Sequence, residues 1–304
     1  DTTSVLLQRR VYAMAPTGAG ERELVVDLYR PVSGPPKGAV VIAHGGGFED
    51  SYVDVGENKV YGQTLAQRGY LGAAIAYRSV EDDPVVQGWA EGYARMVREL
   101  GDPRVEGAIE RFGTGFPDAV AAAAVDLIAA VEWLRSRAGE LGFDPQDVAL
   151  FGASAGGISS LTAAYAMELY GEEPLEVAGV IELRAVLLKA DTADNPFEPD
   201  EPPLLMFHGE QDRSFALSEA EAVFRLAGEG GTPVEFHTAP DRGHELGTRG
   251  LLALRTQDGG TVLDRIDAFL EAAFAGEGAV RPGARSRLLP AESAAAGLRE
   301  PIRR

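Results

Sequence analysis

The chain has 304 residues, 45% of them hydrophobic and 25% charged, enough for one large α/β domain or two small ones around a sizeable core. A formal net charge of −19 excludes nucleic acid and anionic membrane surfaces as natural partners, because phosphates would be repelled over most of the surface. The absence of cysteine excludes disulfides and thiolate metal sites, and no run approaches the roughly 18 apolar residues of a membrane span, so a soluble protein is expected.

Two extended runs open the chain, about 7–15 and 22–30, joined by Pro16-Thr17-Gly18-Ala19-Gly20, and they predict an antiparallel pair. Strands and helices then alternate. A strand at GAVVIAH (38–44) is followed by a helix near 58–68, a strand at LGAAIAY (71–77) and a long helix near 118–138. VALF (148–151) precedes a helix from about 155 to 170, and VIELRAVLL (180–188) reads as one further strand. PLLMFH (203–208), a helix near 216–229, VEFHTA (234–239) and a helix near 261–275 complete the pattern. Continuous apolar strands separated by amphipathic helices predict a mostly parallel central sheet with helices on both faces. Ligands of such sheets sit outside the carboxyl ends of the strands, so the residues just after each strand are the ones to inspect.

Two regions break the alternation. Residues 80–117 interrupt a strand-to-helix connection, far beyond the usual ~2–6 residues, and read as a helical, cap-like insertion. Within it Trp89, Tyr93, Met96, Val97 and Leu100 fall at helical spacing, followed by Val105, Ile109, Phe112 and Phe116. These side chains hold the insertion onto the body, and some are expected to roof a pocket, with Trp89 and Phe112 as candidate substrate contacts. The second region is a basic tail, 277–304, whose six arginines face three glutamates; it is expected either to dock on the acidic body, 1–276, or to be disordered. The start at Asp1 rather than methionine is compatible with removal of an export signal, and the absence of cysteine leaves a cytoplasmic or secreted location open.

Four strand ends carry polar groups: His44-Gly45-Gly46-Gly47-Phe48 after GAVVIA, Gly152-Ala153-Ser154-Ala155-Gly156-Gly157 after VALF, His208-Gly209-Glu210-Gln211-Asp212 after PLLMF, and Gly243-His244 after VEFHTA. Glycines flanking Ser154 allow a sharp strand-to-helix turn that leaves one side chain exposed, and three glycines after His44 expose backbone N–H groups. A nucleophile needs a base, the base needs an orienting acid, and a developing oxyanion needs N–H donors. Each requirement has a candidate on one edge of the predicted sheet.

These four motifs, in the order serine, acid, histidine, resemble the α/β-hydrolase superfamily, and in particular the hormone-sensitive-lipase-like carboxylesterases and related single-domain esterase-lipases. The resemblance spans roughly residues 21–275 and implies an α/β-hydrolase fold. It also implies Ser154 as nucleophile, His244 as general base and later acid, and Asp212 as the group that orients His244. Gly46, Gly47 and Ala155 would supply the oxyanion N–H groups. Phe48, the aromatic after the glycine loop, is a candidate to line the acyl or alcohol site, with packing as its alternative role. Two features differ from the hormone-sensitive-lipase-like branch, which usually has an acidic residue at the position of Ala153 and an N-terminal cap.

Among the four histidines, His44 is expected to hold its glycine loop through backbone hydrogen bonds, His208 ends a buried strand, and His237 lies within one. His244, in a loop after the last strand, is left as the base. For the acid, Asp191, Asp194 and Asp241 compete with Asp212, and Glu210 reads as solvated. No carboxylate–histidine cluster has metal spacing. The chemistry expected is cleavage of a carboxylic ester through an acyl-enzyme, with a small-molecule ester as partner and no cofactor. The apolar insertion leans toward a neutral, partly apolar substrate. Thioester, aryl formamide, lactone and peptide cleavage remain alternatives, as does a non-catalytic ligand-binding relative; oligomeric state is not readable.

Overall fold

The computed structural model describes residues 5–49, 53, 56–188 and 195–290. Strands β1 (Leu6–Thr17) and β2 (Gly20–Arg30) form a hairpin, followed by β3 (Ala39–Ala43), helix α1 (Gly56–Gln67) and β4 (Leu71–Ile75). The insertion carries a short 3-10 turn at Val80–Asp82 and helices α2 (Trp89–Glu99) and α3 (Pro103–Phe112), and leads into α4 (Phe116–Ser136) and the short α5 (Ala138–Leu141). Strand β5 (Val148–Ala153) runs into α6 (Ala155–Leu161), which continues as a π turn over Thr162–Ala166 and a 3-10 turn over Met167–Tyr170. After these come β6 (Gly179–Leu183), β7 (Leu204–Gly209), α7 (Leu217–Gly230), β8 (Val234–Ala239), α8 (Thr248–Ala253), α9 (Val262–Phe274) and β9 (Ala284–Arg287).

All nine strands form one sheet in the order β1-β2-β4-β3-β5-β6-β7-β8-β9, antiparallel at β1·β2 and β2·β4 and parallel beyond. This is the α/β-hydrolase arrangement. Alternation along the strands divides the core. Val41, Leu150 and Val180 face α4, α6 and α7, whereas Val40, Ile42, Phe151 and Ile181 face α1 and α9. Each fully buried Val, Leu, Ile or Phe stabilises the sandwich by about 1.5–3 kcal/mol relative to exposure.

Local chemistry explains the element ends. Helix α3 starts where the Asp102 carboxylate accepts the Arg104 N–H at 2.8 Å with Pro103 in its first turn, and stops at Gly113. At α9 the Thr261 hydroxyl accepts the Asp264 N–H while the Asp264 carboxylate accepts the Thr261 N–H, a reciprocal cap. In α2, Ala90, Tyr93, Ala94 and Val97 recur at helical spacing and bury against α4, forming a third apolar cluster with Phe48, Val105, Phe116, Val120 and Ile158 at the site end of the sheet.

Three expectations need correction. The run 180–188 is not one strand: β6 ends at Leu183, because the Glu182 carboxylate accepts the Ala185 N–H and Arg184 turns into the left-handed region at φ 49°. The helix after Ser154 is α-helical only to Leu161 and widens into a π turn. Glu210 is ion-paired rather than simply solvated: Arg287 Nε donates to its Oε1 at 2.7 Å, as does the Thr238 hydroxyl. Of the two alternatives for the tail, its described part shows docking: Ala284–Arg287 pairs with β8 as an edge strand. Residues 291–304 of the tail lie outside the described residues. Among the described residues no single helix is long and apolar enough to cross a membrane.

Candidate active site

Ser154 sits between β5 and α6 with φ 51° and ψ −117°, a backbone conformation rare for a residue with a side chain. Three hydrogen bonds hold the corner: Ser154 N–H donates to Leu183 at 2.9 Å, Ile158 N–H to Ser154 at 2.9 Å, and Gly156 N–H to His44 at 3.0 Å. Only glycine fits at 156, since a Cβ there would collide with the backbone carbonyls of Ala43 and His44. The turn therefore needs Gly156 for close approach to β3, and the result is a hydroxyl lifted above the sheet edge.

His244 Nε2 lies 2.9 Å from the Ser154 hydroxyl, and His244 Nδ1 lies 2.8 Å from Asp212 Oδ2. The second carboxylate oxygen of Asp212 accepts the N–H groups of Ser214 at 2.7 Å and Phe215 at 3.0 Å. Burial alone would push this carboxyl up, but the His244 hydrogen bond together with those two N–H groups outweighs it and holds Asp212 below the usual carboxylate range. Meeting of the two loops depends on Gly209. A Cβ there would sit 2.5 Å from the carbonyl oxygens of both Arg242 and Gly243. Gly209→Ala should thus force the His244 loop away from Asp212, lowering stability by about 1–3 kcal/mol in urea unfolding and reducing turnover in the same variant. Undisturbed stability and turnover would show that the loop approach is unimportant.

The competing residues are placed elsewhere. Asp241 is exposed in the turn after β8 and does not bond His244, and Asp191 and Asp194 lie outside the described residues. His237 bonds the Ser286 hydroxyl at 2.7 Å and Glu235 at 2.8 Å, which ties the tail strand to β8. The buried ring of His44 stacks on Tyr77 at 4.4 Å, and its Nδ1 meets the Gly45 carbonyl. His208 Nε2 donates to the Phe215 carbonyl at 3.0 Å and lies 3.6 Å from Asp212; burial holds the imidazole below its ordinary pKa and so favours the neutral ring.

Gly46 (φ 126°) and Gly47 (φ 63°) line the same cavity as Ser154, and among the described residues nothing accepts the N–H of Gly46, Gly47 or Ala155. Two cavities meet at the hydroxyl. A small, mostly apolar one of about 100 Å³ is lined by Phe48, Val105, Phe116, Val120, Ile158 and Phe215, together with Asp102 and Arg104. A wide cleft of about 740 Å³ holds His244, Gly45, Gly46, Gly47 and Phe112 and is edged by charged side chains. Phe48 and Phe112 thus line one cavity each, and Val105 and Phe116 bring the insertion into the small pocket. Trp89 lines neither: at the start of α2 it packs beside Tyr93, with ring centroids 6.4 Å apart, because the buried face of α2 points at α4 rather than at Ser154.

Sequence reasoning missed several lining residues. Phe215 touches the His244 ring edge-on at 5.5 Å, and its position three residues after Asp212 is the only sequence signal for it. Arg104 and Arg111, exposed side chains of α3 that line the cleft, stack over Phe215 and Phe112 and pair with Glu219 and Glu49. Arg184 is hidden within the run VIELRAVLL, which conceals the strand end just before it.

A family model described as alpha/beta hydrolase fold matches residues 117–201, and a model of the prolyl oligopeptidase family matches residues 180–277. No curated protein matches the sequence at a significant level. Among solved structures, the propionate-bound esterase Est2 of the planctomycete Thermogutta terrifontis is similar at TM-score 0.58 and 19% identity, over 79% of this chain and 85% of that one. The paraoxon-phosphorylated form of Thermogutta terrifontis esterase 2 is similar at TM-score 0.56 and 19% identity, over 81% of this chain and 86% of that one. An alpha/beta hydrolase enzyme from a Medee basin deep-sea metagenome library gives TM-score 0.55 and 18% identity, over 82% of this chain and 86% of that one. The sheet order, the serine corner and these likenesses agree that this chain has the α/β-hydrolase fold and resembles the esterases of that superfamily.

Proposed function

We propose that the protein hydrolyses carboxylic esters of short acyl chains through an acyl-enzyme on Ser154. The observation that carries this reading is the unbroken hydrogen-bonded line from Asp212 through His244 to the Ser154 hydroxyl, 2.8 and 2.9 Å, opening onto two cavities. His244 Nε2 takes the hydroxyl proton as Oγ bonds to the ester carbonyl carbon, and the negative charge moves to the carbonyl oxygen. On this reading the N–H groups of Gly46, Gly47 and Ala155 receive that oxygen. As the tetrahedral adduct collapses, the C–O bond to the alcohol breaks and His244 returns the proton to the departing oxygen. Water, deprotonated by the same imidazole, then adds to the acyl carbon and releases the acid and the free hydroxyl.

Proton return fixes which cavity does what. His244 lines the wide cleft and not the small pocket, so the alcohol leaves through the cleft and the acyl chain occupies the pocket. A pocket of about 100 Å³ lined by Phe48, Phe116 and Phe215 suits about two to four carbons. With p-nitrophenyl esters, kcat/KM should be highest between acetyl and butyryl and at least about tenfold lower at octanoyl, because added methylenes find no space. Octanoyl or longer esters as the best substrates would rule out this pocket assignment. The match of residues 180–277 to the prolyl oligopeptidase family makes a peptide p-nitroanilide the control to run beside the esters.

A further inference from the structure

We propose that the wide cleft selects esters whose leaving alcohol carries a carboxylate, with Arg184 as the residue that receives it; this rests on the hydrolase reading and names the substrate class of the same site. Arg184 stands at the carboxyl end of β6, next to the serine corner, and only 3% of it is exposed. A methyl placed on Gly45 would touch Ser154 Cβ at 3.2 Å and Arg184 Nη2 at 3.4 Å, so the guanidinium and the Ser154 side chain flank the same glycine. The left-handed turn at φ 49° directs the side chain into the cleft instead of leaving it on a sheet face.

A guanidinium carries five donors, and here few are used. Among the described residues Glu57 takes Nη2 alone, at 2.6 and 2.9 Å, and Nε has no acceptor. A buried charged group with unused donors beside a nucleophile is costly unless something else completes it. The other lining charges narrow what that is. Arg104 is held by Asp102 and Glu219, and Arg111 by Glu49, whereas Arg213, at the cleft edge, has no ion-pair partner among the described residues. Glu49, Glu57 and Glu245 line the same space, so a doubly charged phosphate would meet more repulsion than a single carboxylate. With Nη2 held by Glu57, the donors left toward the cleft are those of Nη1, enough for one charge-assisted hydrogen bond to a carboxylate oxygen. Position completes the inference: the cleft contains His244, and the group leaving through it is the alcohol.

The test uses the full chain and three meta-substituted phenyl butyrates that share one acyl group: 3-butyryloxybenzoate, its neutral carboxamide, and the aminomethyl analogue that is cationic at pH 7. Each kcat/KM is divided by that ester's own rate of hydroxide hydrolysis, which removes differences in leaving-group reactivity. The carboxylate is expected to exceed the carboxamide by about tenfold or more, the worth of one charge-assisted hydrogen bond. That ratio should fall toward one in Arg184→Leu, be partly kept in Arg184→Lys, and rise in Glu57→Gln, where the guanidinium loses its counter-charge. Where a variant does not fold, wild-type competition decides: 3-hydroxybenzoate should inhibit turnover of the carboxamide ester at lower concentration than 3-hydroxybenzamide does. A wild-type ratio of one or less, or preference for the cationic ester, overturns the carboxylate site and leaves the hydrolase standing. Failure to cleave all three esters and p-nitrophenyl butyrate overturns the hydrolase reading and this proposal with it.

Discussion

Replacing Ser154 with alanine should lower kcat on p-nitrophenyl butyrate by about 10⁶-fold, down to the background that oxyanion donors and binding alone sustain. Only the hydroxyl is lost. The corner is held by backbone hydrogen bonds of residues 154, 156 and 158, so the fold should persist and the melting temperature should move little. Labelling by a fluorophosphonate should disappear in the same variant, and peptide mapping of the wild-type adduct should place the label on Ser154. Retained turnover, or a label on another serine, would remove the acyl-enzyme mechanism while leaving the fold untouched.

The second large effect is expected from Asp212→Asn, about 10⁴-fold in kcat. An amide nitrogen facing His244 Nδ1 would drive the imidazole proton to Nε2, where it points at the Ser154 hydroxyl and cannot accept from it. This substitution also has a pH signature. Asp212 is held below the usual carboxylate range, so its bonds to His244, Ser214 and Phe215 stabilise the fold above the unfolded carboxyl pKa of about 3.9. That contribution is lost as pH falls through the lower folded value. The stability gap between wild type and Asp212→Asn, measured by urea unfolding, should therefore be widest near neutral pH and shrink below about pH 4. A gap that stays constant from pH 7 to pH 3 would mean that the carboxylate does not carry those bonds as an anion.

The extent to which the site could be read from sequence follows the range of the interactions involved. Ser154, Asp212 and His244 each follow an apolar run at a predicted strand end, and a parallel sheet brings all such ends to one rim; the structure has the three in hydrogen-bonded contact. Phe48 and Phe112 are found in the cavities by the same proximity, one after the glycine loop and one at the end of α3. Trp89 fails because helical spacing reveals that a helix has a buried face without saying which neighbour covers it. Arg184 is invisible for a different reason: an apolar run with one arginine reads as a strand, and it takes the Glu182–Ala185 hydrogen bond and the left-handed turn at Arg184 to end the strand before it. Glu210 reads as solvated until Arg287, 77 positions later, is seen against it.

What the sequence determined by itself is the alternation of apolar strands and amphipathic helices, and with it the parallel sheet, the glycine-bounded corner at Ser154 and the rim on which the polar groups gather. These are properties of neighbouring residues, set by the two-residue period of strands, the 3.6-residue period of helices, and the steric freedom of glycine. The tertiary structure alone decided the division of the site into a small apolar pocket and a charged cleft, the placement of Arg184 beside the hydroxyl, and the attachment of the tail strand. Each of those depends on side chains tens to hundreds of positions apart meeting in space, and contact energies between such residues leave no local periodic trace in the chain.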